Sequence, residues 1–133
     1  MRLLPLLLLI PSLARAELVL EDAWIQNLPA SVPVRTGYLT ITNPATAAAR
    51  IVGLRGAAFT RIEIHRSTMK DGTMQMEAVP AIEIESGQTL RLEPGGLHLM
   101  MYPRQPTRPG DSYRVIVEFG DGETRNLDMV VRK

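Results

Sequence analysis

Cysteine is absent from the 133 residues. No disulfide can brace the fold and no thiolate can bind a metal, so stability has to come from a hydrophobic core. Aromatic residues are scarce at 5% of the chain, and no Lys/Arg-rich run with interleaved aromatics occurs, so the basic footprint of a nucleic-acid binder is missing. The charges between Arg55 and Arg66 read instead as solvated strand and loop positions. Long apolar runs are lacking too. A spanning helix needs about 20 apolar residues, whereas the stretch from Leu3 to Ile10 is short and interrupted by Pro5, with Pro11 just beyond. No segment sustains a helical period with caps, and Pro29, Pro33, Pro44, Pro80, Pro94, Pro103, Pro106 and Pro109 punctuate the chain. No repeat, low-complexity linker or charge block divides it. Histidine is nearly absent as well: only His65 and His98 occur.

What the first residues do contain is the pattern of a secretory signal. Arg2 supplies a positive start, Leu3 to Ile10 an apolar stretch, and Ala14-Arg15-Ala16 a small-residue cleavage site. The expectation is export with cleavage after Ala16, leaving residues 17–133 as one soluble domain of 133 − 16 = 117 residues. Losing Arg2 and Arg15 leaves 13 basic against 14 acidic residues, a net charge near −1.

The apolar residues of that domain fall in short alternating runs bounded by Gly, Pro, Asn and Asp, the signature of antiparallel strands with one buried face. Segments of this kind cover Leu18–Ile25, Gly37–Asn43, Ala48–Leu54, Arg61–Arg66, Met74–Val79, Ala81–Glu85, Thr89–Leu92, Leu97–Tyr102, Tyr113–Phe119 and Thr124–Val131. With some short or merged, they predict eight or nine strands in an all-β sandwich or barrel. Turn signals lie between them, among them Asp71-Gly72, Ser86-Gly87 and Pro94-Gly95-Gly96.

Both histidines lie in the segment that also holds Met69, Met74, Met76, Met100 and Met101, five of the six methionines beyond Met1. The spacing is His65, ten residues, Met76, twenty-one residues, His98, one residue, Met100. Thioether sulfur is a soft neutral donor that suits Cu(I), imidazole suits copper generally, and neither serves a hard ion such as Mg²⁺ or Ca²⁺. Taken singly, a methionine is more often core filler than ligand. Strand propensity favours Val, Ile, Thr and aromatics, so it does not account for this concentration of sulfur.

Alternation along a strand sorts these residues. Leu97, Leu99 and Met101 face the core while His98 and Met100 project together on the other face, roughly 6 to 7 Å apart at Cα. Ile62 and Ile64 point inward, leaving His65 with the outward set. Met74 and Met76 share a face, so one could bind metal while the other packs nearby, and parity does not say which. Glu63 and Glu77 lie near the candidate ligands without a role that the pattern assigns, and Met69, flanking the Asp71-Gly72 turn with Met74, is equally unassigned.

The motif His-x10-Met-x21-His-x-Met, together with Ala23-Trp24-Ile25, the run GYLTITN from Gly37, IEIH ending at His65, DGTMQM ending at Met76, LEPGGLHLMM ending at Met101, and PGDSYRVIVEFGDG beyond, resembles the periplasmic PCuAC copper chaperones. That resemblance implies a cupredoxin-like antiparallel Greek-key β-sandwich or barrel, periplasmic and monomeric, that is not an enzyme. It implies Cu(I) held by His65, Met76, His98 and Met100 and passed to the Cu(A) centre of cytochrome c oxidase subunit II, with other periplasmic copper chaperones as further partners. Arg66 stands where some members carry an extra methionine, and the chain stops at Arg132-Lys133 without the His/Met-rich tail of many members, so a second, Cu(II)-holding site does not follow.

Other readings meet specific obstacles. A blue-copper electron carrier requires a cysteine thiolate, and there is none. Catalysis lacks a carboxylate pair, an activated nucleophile or a phosphate loop. An exported β-sandwich whose methionines form an adaptable protein-binding edge remains compatible with the composition. So does copper buffering without a dedicated recipient, because ligand identity does not say where the ion goes next.

Overall fold

Each alternating segment becomes a strand in the computed structural model, which describes residues 17–133; the expected signal peptide over 1–16 lies outside the described residues. Ten strands form: β1 (Val19–Gln26), β2 (Arg35–Thr42), β3 (Ala49–Arg55), β4 (Phe59–Lys70), β5 (Thr73–Ala78), β6 (Ile82–Ile84), β7 (Thr89–Leu92), β8 (Leu97–Pro103), β9 (Ser112–Phe119) and β10 (Thr124–Arg132). None of the expected segments merge. Among the described residues there is no helix.

Seven strands run in the order β4, β8, β2, β1, β10, β9, β3, and a contact of β3 with β4 at Leu54 and Ile62 closes them into a barrel. Closure removes exposed sheet edges. β5 extends the wall beyond β4, β6 lies beside β3, and β7 pairs with the Leu39–Thr42 part of β2. Pairing is antiparallel except between β1 and β10, whose register sets Trp24 against Val130.

Inward positions fill the barrel. Ile25, Ile41, Ile51, Ile84, Leu99, Met101, Val115, Val117, Met129 and Val131 are all fully buried, and β10 shows the cause: Leu127, Met129 and Val131 alternate with exposed residues. Ile62 and Ile64 are buried as their parity requires, and Leu97 packs half-buried against the core. Gly37 is there for space. A Cβ at that position would come within 3.2 Å of the Leu99 Cβ and 2.7 Å of the Met101 Sδ, so only glycine lets β2 lie this close to β8 over its inner face.

β4 is twice the expected strand. The polar run Arg66-Ser67-Thr68-Met69-Lys70 lacks alternating apolar residues and looks like loop, yet it remains paired with β5 to the last residue before the turn. The turn supplies the reason. Asp71 and Gly72 both have positive φ, 53° and 76°, the backbone of a two-residue hairpin whose twist matches the flanking strands.

Candidate metal centre

Strand pairing, rather than sequence proximity, assembles the candidate ligands. In the β4–β8 ladder His65 stands directly opposite His98, and Glu63 directly opposite Met100. Directly opposed residues of an antiparallel pair share one face with Cβ atoms about 4.5–5.5 Å apart. The outer face of this wall therefore carries Glu63, His65 and Ser67 from β4 beside His98 and Met100 from β8. In the β4–β5 ladder Met76 stands opposite Ser67 and Ala78 opposite His65. Met76 is thus on the same face, one diagonal step from His65.

The two imidazole rings lie 6.0 Å apart between centroids, tilted at 47°. With a metal–imidazole bond of about 2 Å, two rings sharing one ion at angles from tetrahedral to linear have centroids roughly 5 to 6 Å apart. The pair already stands at the separation an ion between them would need.

Hydrogen bonding fixes which nitrogens are available. His98 Nδ1 lies 3.0 Å from the Gly96 carbonyl oxygen; a carbonyl can only accept, so Nδ1 carries the proton and Nε2 keeps its lone pair. His65 Nε2 lies 3.0 Å from Glu63 Oε2, so its proton faces the carboxylate and Nδ1 is the lone-pair nitrogen. These two atoms, His65 Nδ1 and His98 Nε2, are buried and have no hydrogen-bonding partner in the protein. A buried polar atom left unpaired costs about 1–3 kcal/mol. Two in one place, each an unprotonated imidazole nitrogen locked in orientation from behind, match the way metal-binding histidines are held.

The support continues along β4. Arg61 Nε donates to Glu63 Oε1 at 2.6 Å while its guanidinium lies 3.8 Å from the Tyr102 ring centroid. The hydrogen bond from His65 holds the Glu63 carboxyl below the usual carboxylate range, and Arg61 adds to the effect while partial burial opposes it. Glu63 is therefore ionised and available to orient His65. Parity alone left this residue unassigned, because sharing a strand face two residues from a histidine does not distinguish a hydrogen-bonding partner from a surface charge.

The wall places the four sequence-expected ligands unequally. His98 is buried, with 3% exposure, although it points away from the core. His65 and Met100 are half-buried. Met76 is exposed on the outermost strand. By register Met100 and Met76 each stand one diagonal step from His65, Met100 on the β8 side and Met76 on the β5 side. Among the described residues no group of three or more His, Cys, Asp or Glu is placed to hold a metal; what this face brings together is two imidazoles with methionine thioethers.

Residues 18–131 match the family described as "Putative lipoprotein LpqE-like". "Putative lipoprotein Lxx21020" of Leifsonia xyli subsp. xyli is 30% identical over 115 residues, which cover 84% of this chain and 68% of that protein. Among solved structures, the copper-bound PCuAC domain from PmoF2 superposes with a TM-score of 0.73 at 18% identity, covering 90% of this chain and 95% of the domain. The Cu(I) form of DR1885 from Deinococcus radiodurans gives 0.67 at 26% identity, covering 92% of this chain and 81% of that one. The barrel described above is the cupredoxin-like fold of these PCuAC domains.

Proposed function

Because the chain belongs to the LpqE-like family, whose fold here is that of PCuAC domains, we propose that it is an exported copper-binding chaperone that carries Cu(I) on His65, Met76, His98 and Met100. The observation that carries this reading is the pair of buried, unpartnered nitrogens, His65 Nδ1 and His98 Nε2, on rings 6.0 Å apart and flanked on the same strand face by thioethers. Two neutral imidazoles and two neutral thioethers leave the ion its single positive charge, and the donor set favours Cu(I) over hard cations.

The proposal extends to the cell. Residues 1–16 act as the export signal, cleavage after Ala16 frees a single monomeric domain in the periplasm, and the cargo passes to the Cu(A) centre of cytochrome c oxidase subunit II. A site with no thiolate can yield its ion to one that has cysteines, because thiolate binds Cu(I) more strongly than thioether. Handover then runs downhill without an energy source.

X-ray absorption of the Cu(I) form, after anaerobic titration against a chelating dye, tests the centre. The expected result is one ion per chain with two nitrogen and two sulfur neighbours. A chain that takes up no copper, or binds it equally well after His98→Ala with Met100→Ala, would end the proposal. Delivery is tested separately: copper-loaded protein should metallate an apo subunit II domain faster than free copper at equal concentration, and equal rates would favour a buffering role.

A further inference from the structure

Methionine packs in two ways in this molecule. Met101 and Met129 are fully buried fillers of the barrel. Met69, Met74 and Met76 are the most exposed large apolar side chains among the described residues, at 65%, 56% and 56%, ahead of Val19, Val52 and Val130 at 40–43%. All three belong to one hairpin. Packing does not explain them, since they bury too little to gain from it.

Their placement is specific. Met69 stands directly opposite Met74 in the β4–β5 ladder, and Met76 opposite Ser67. The three sulfurs therefore share one face of the hairpin, with the opposed pair about 4.5–5.5 Å apart at Cβ and Met76 one diagonal step away. Met76 lies midway between two levels: diagonal to Met69 on one side and to His65 on the other. On this face the strands place only Ser67 among the methionines between the turn and His65; the charged neighbours Arg66, Lys70 and Glu77 alternate to the opposite face. The Asp71-Gly72 turn, with both φ angles positive, holds the tip in register.

We propose that Met69, Met74 and Met76 form a second, thioether-only site that captures Cu(I) at the hairpin tip and passes it to the imidazole pair, with Met76 as the donor common to both positions. The inference rests on copper being the cargo of the deeper centre. Three neutral soft donors suit Cu(I) and repel no monovalent ion, whereas they offer little to Mg²⁺, Ca²⁺ or Zn²⁺. Replacing sulfur with imidazole one donor at a time, while Met76 stays bound, lets the ion move inward without ever being released to water. No bond within the protein forms or breaks and the ion keeps its oxidation state.

Protein labelled at the methionine methyl carbon, titrated anaerobically with Cu(I) as its acetonitrile complex and followed by NMR, tests the site. The Met69, Met74 and Met76 signals are expected to shift in the native chain and still to shift in the His65→Ala/His98→Ala variant, where the deeper centre is removed. Met69→Leu/Met74→Leu changes only exposed residues and should leave one Cu(I) per chain at the imidazoles, while uptake from a chelating dye slows about tenfold. Unmoved Met69 and Met74 signals, or an uptake rate unaffected by the leucine pair, would overturn the capture site and leave the deeper centre standing. Shifts at Met69 and Met74 with an unmoved Met100 signal in the native chain would overturn the deeper centre instead.

Discussion

Two groups of polar side chains flank β8 on opposite faces of the wall, one in its ladder with β2 and the other in its ladder with β4, and they are finished differently. Arg35, opposite Met101 on the inward side, is 2% exposed. Its Nε donates to Thr107 Oγ1 at 2.7 Å and its Nη1 to the carbonyl oxygens of Val32 and Val34 at 2.8 Å each, and Thr107 in turn donates to Asn27 Oδ1 at 2.8 Å. Those bonds tie the segment after β1 and the loop before β9 to the barrel. On the outward side, His98 is buried and His65 half-buried, both oriented by hydrogen bonds, but each presents a buried nitrogen with no partner in the protein. A buried polar group satisfied by its own chain holds the fold, whereas one left open invites a ligand. The difference separates a structural cluster from a binding one more sharply than residue type does, since arginine is as suggestive of function as histidine when read from sequence.

The largest expected effects come from exchanging the fates of the two groups. Arg35→Leu strands the Val32 and Val34 carbonyls and one side of Thr107, and should destabilise the fold by about 2–4 kcal/mol, read as a lower urea midpoint, with Cu(I) stoichiometry unchanged. His98→Leu should do the reverse. It removes an unsatisfied buried nitrogen, so the metal-free stability should stay within about 1 kcal/mol, while Cu(I) affinity in dye competition falls by more than the roughly 100-fold that loss of a supporting partner can cost. Equal destabilisation by the two variants would break the comparison.

The neighbouring methionines sharpen it at single-residue resolution. Met101 is fully buried among Leu99, Met129 and Gly37, and Met100 is half-buried opposite Glu63. Met101→Ala should cost about 2–5 kcal/mol of stability and leave the ligand atoms in place. Met100→Ala should cost less than about 1 kcal/mol and lose affinity instead. Thermal melts of the metal-free variants, paired with dye competition, read both at once.

This pair also marks how far the sequence is legible. Alternation alone put Met101 inside and Met100 outside, and likewise sent Ile62 and Ile64 inward and His65 outward, because a two-residue period needs no knowledge of the partner strand. What it could not supply was anything decided by pairing. The parallel contact of β1 with β10, the full length of β4 and the level at which Met76 meets Ser67 all depend on which strands meet and in what register. The burial of His98 is likewise invisible to parity, which puts it correctly on the outer face but does not report that the position is 3% exposed. Arg35 gave no sign of its burial, because its partners are backbone carbonyls and a threonine far along the chain.

The smallest expected effect concerns Glu63, whose carboxylate accepts the hydrogen bond that orients His65. Glu63→Gln retains the shape but replaces a charge-assisted acceptor with a neutral one, and should lower Cu(I) affinity by about 10–100-fold. In the metal-free protein its contribution depends on pH with a definite sign. The carboxyl is held below its ordinary value of 4.5, chiefly by the hydrogen bond from His65. A group depressed on folding stabilises the native state in full above its unfolded value and loses that contribution as pH falls through the folded one. Melting temperatures of the native chain and Glu63→Gln should therefore differ above about pH 4.5 and converge below it. A difference that persists unchanged to pH 3 would mean that Glu63 acts through its shape rather than its charge. The imidazole pair would then be oriented by packing alone, which would bring the open cluster closer to the closed one around Arg35 than their hydrogen bonds suggest.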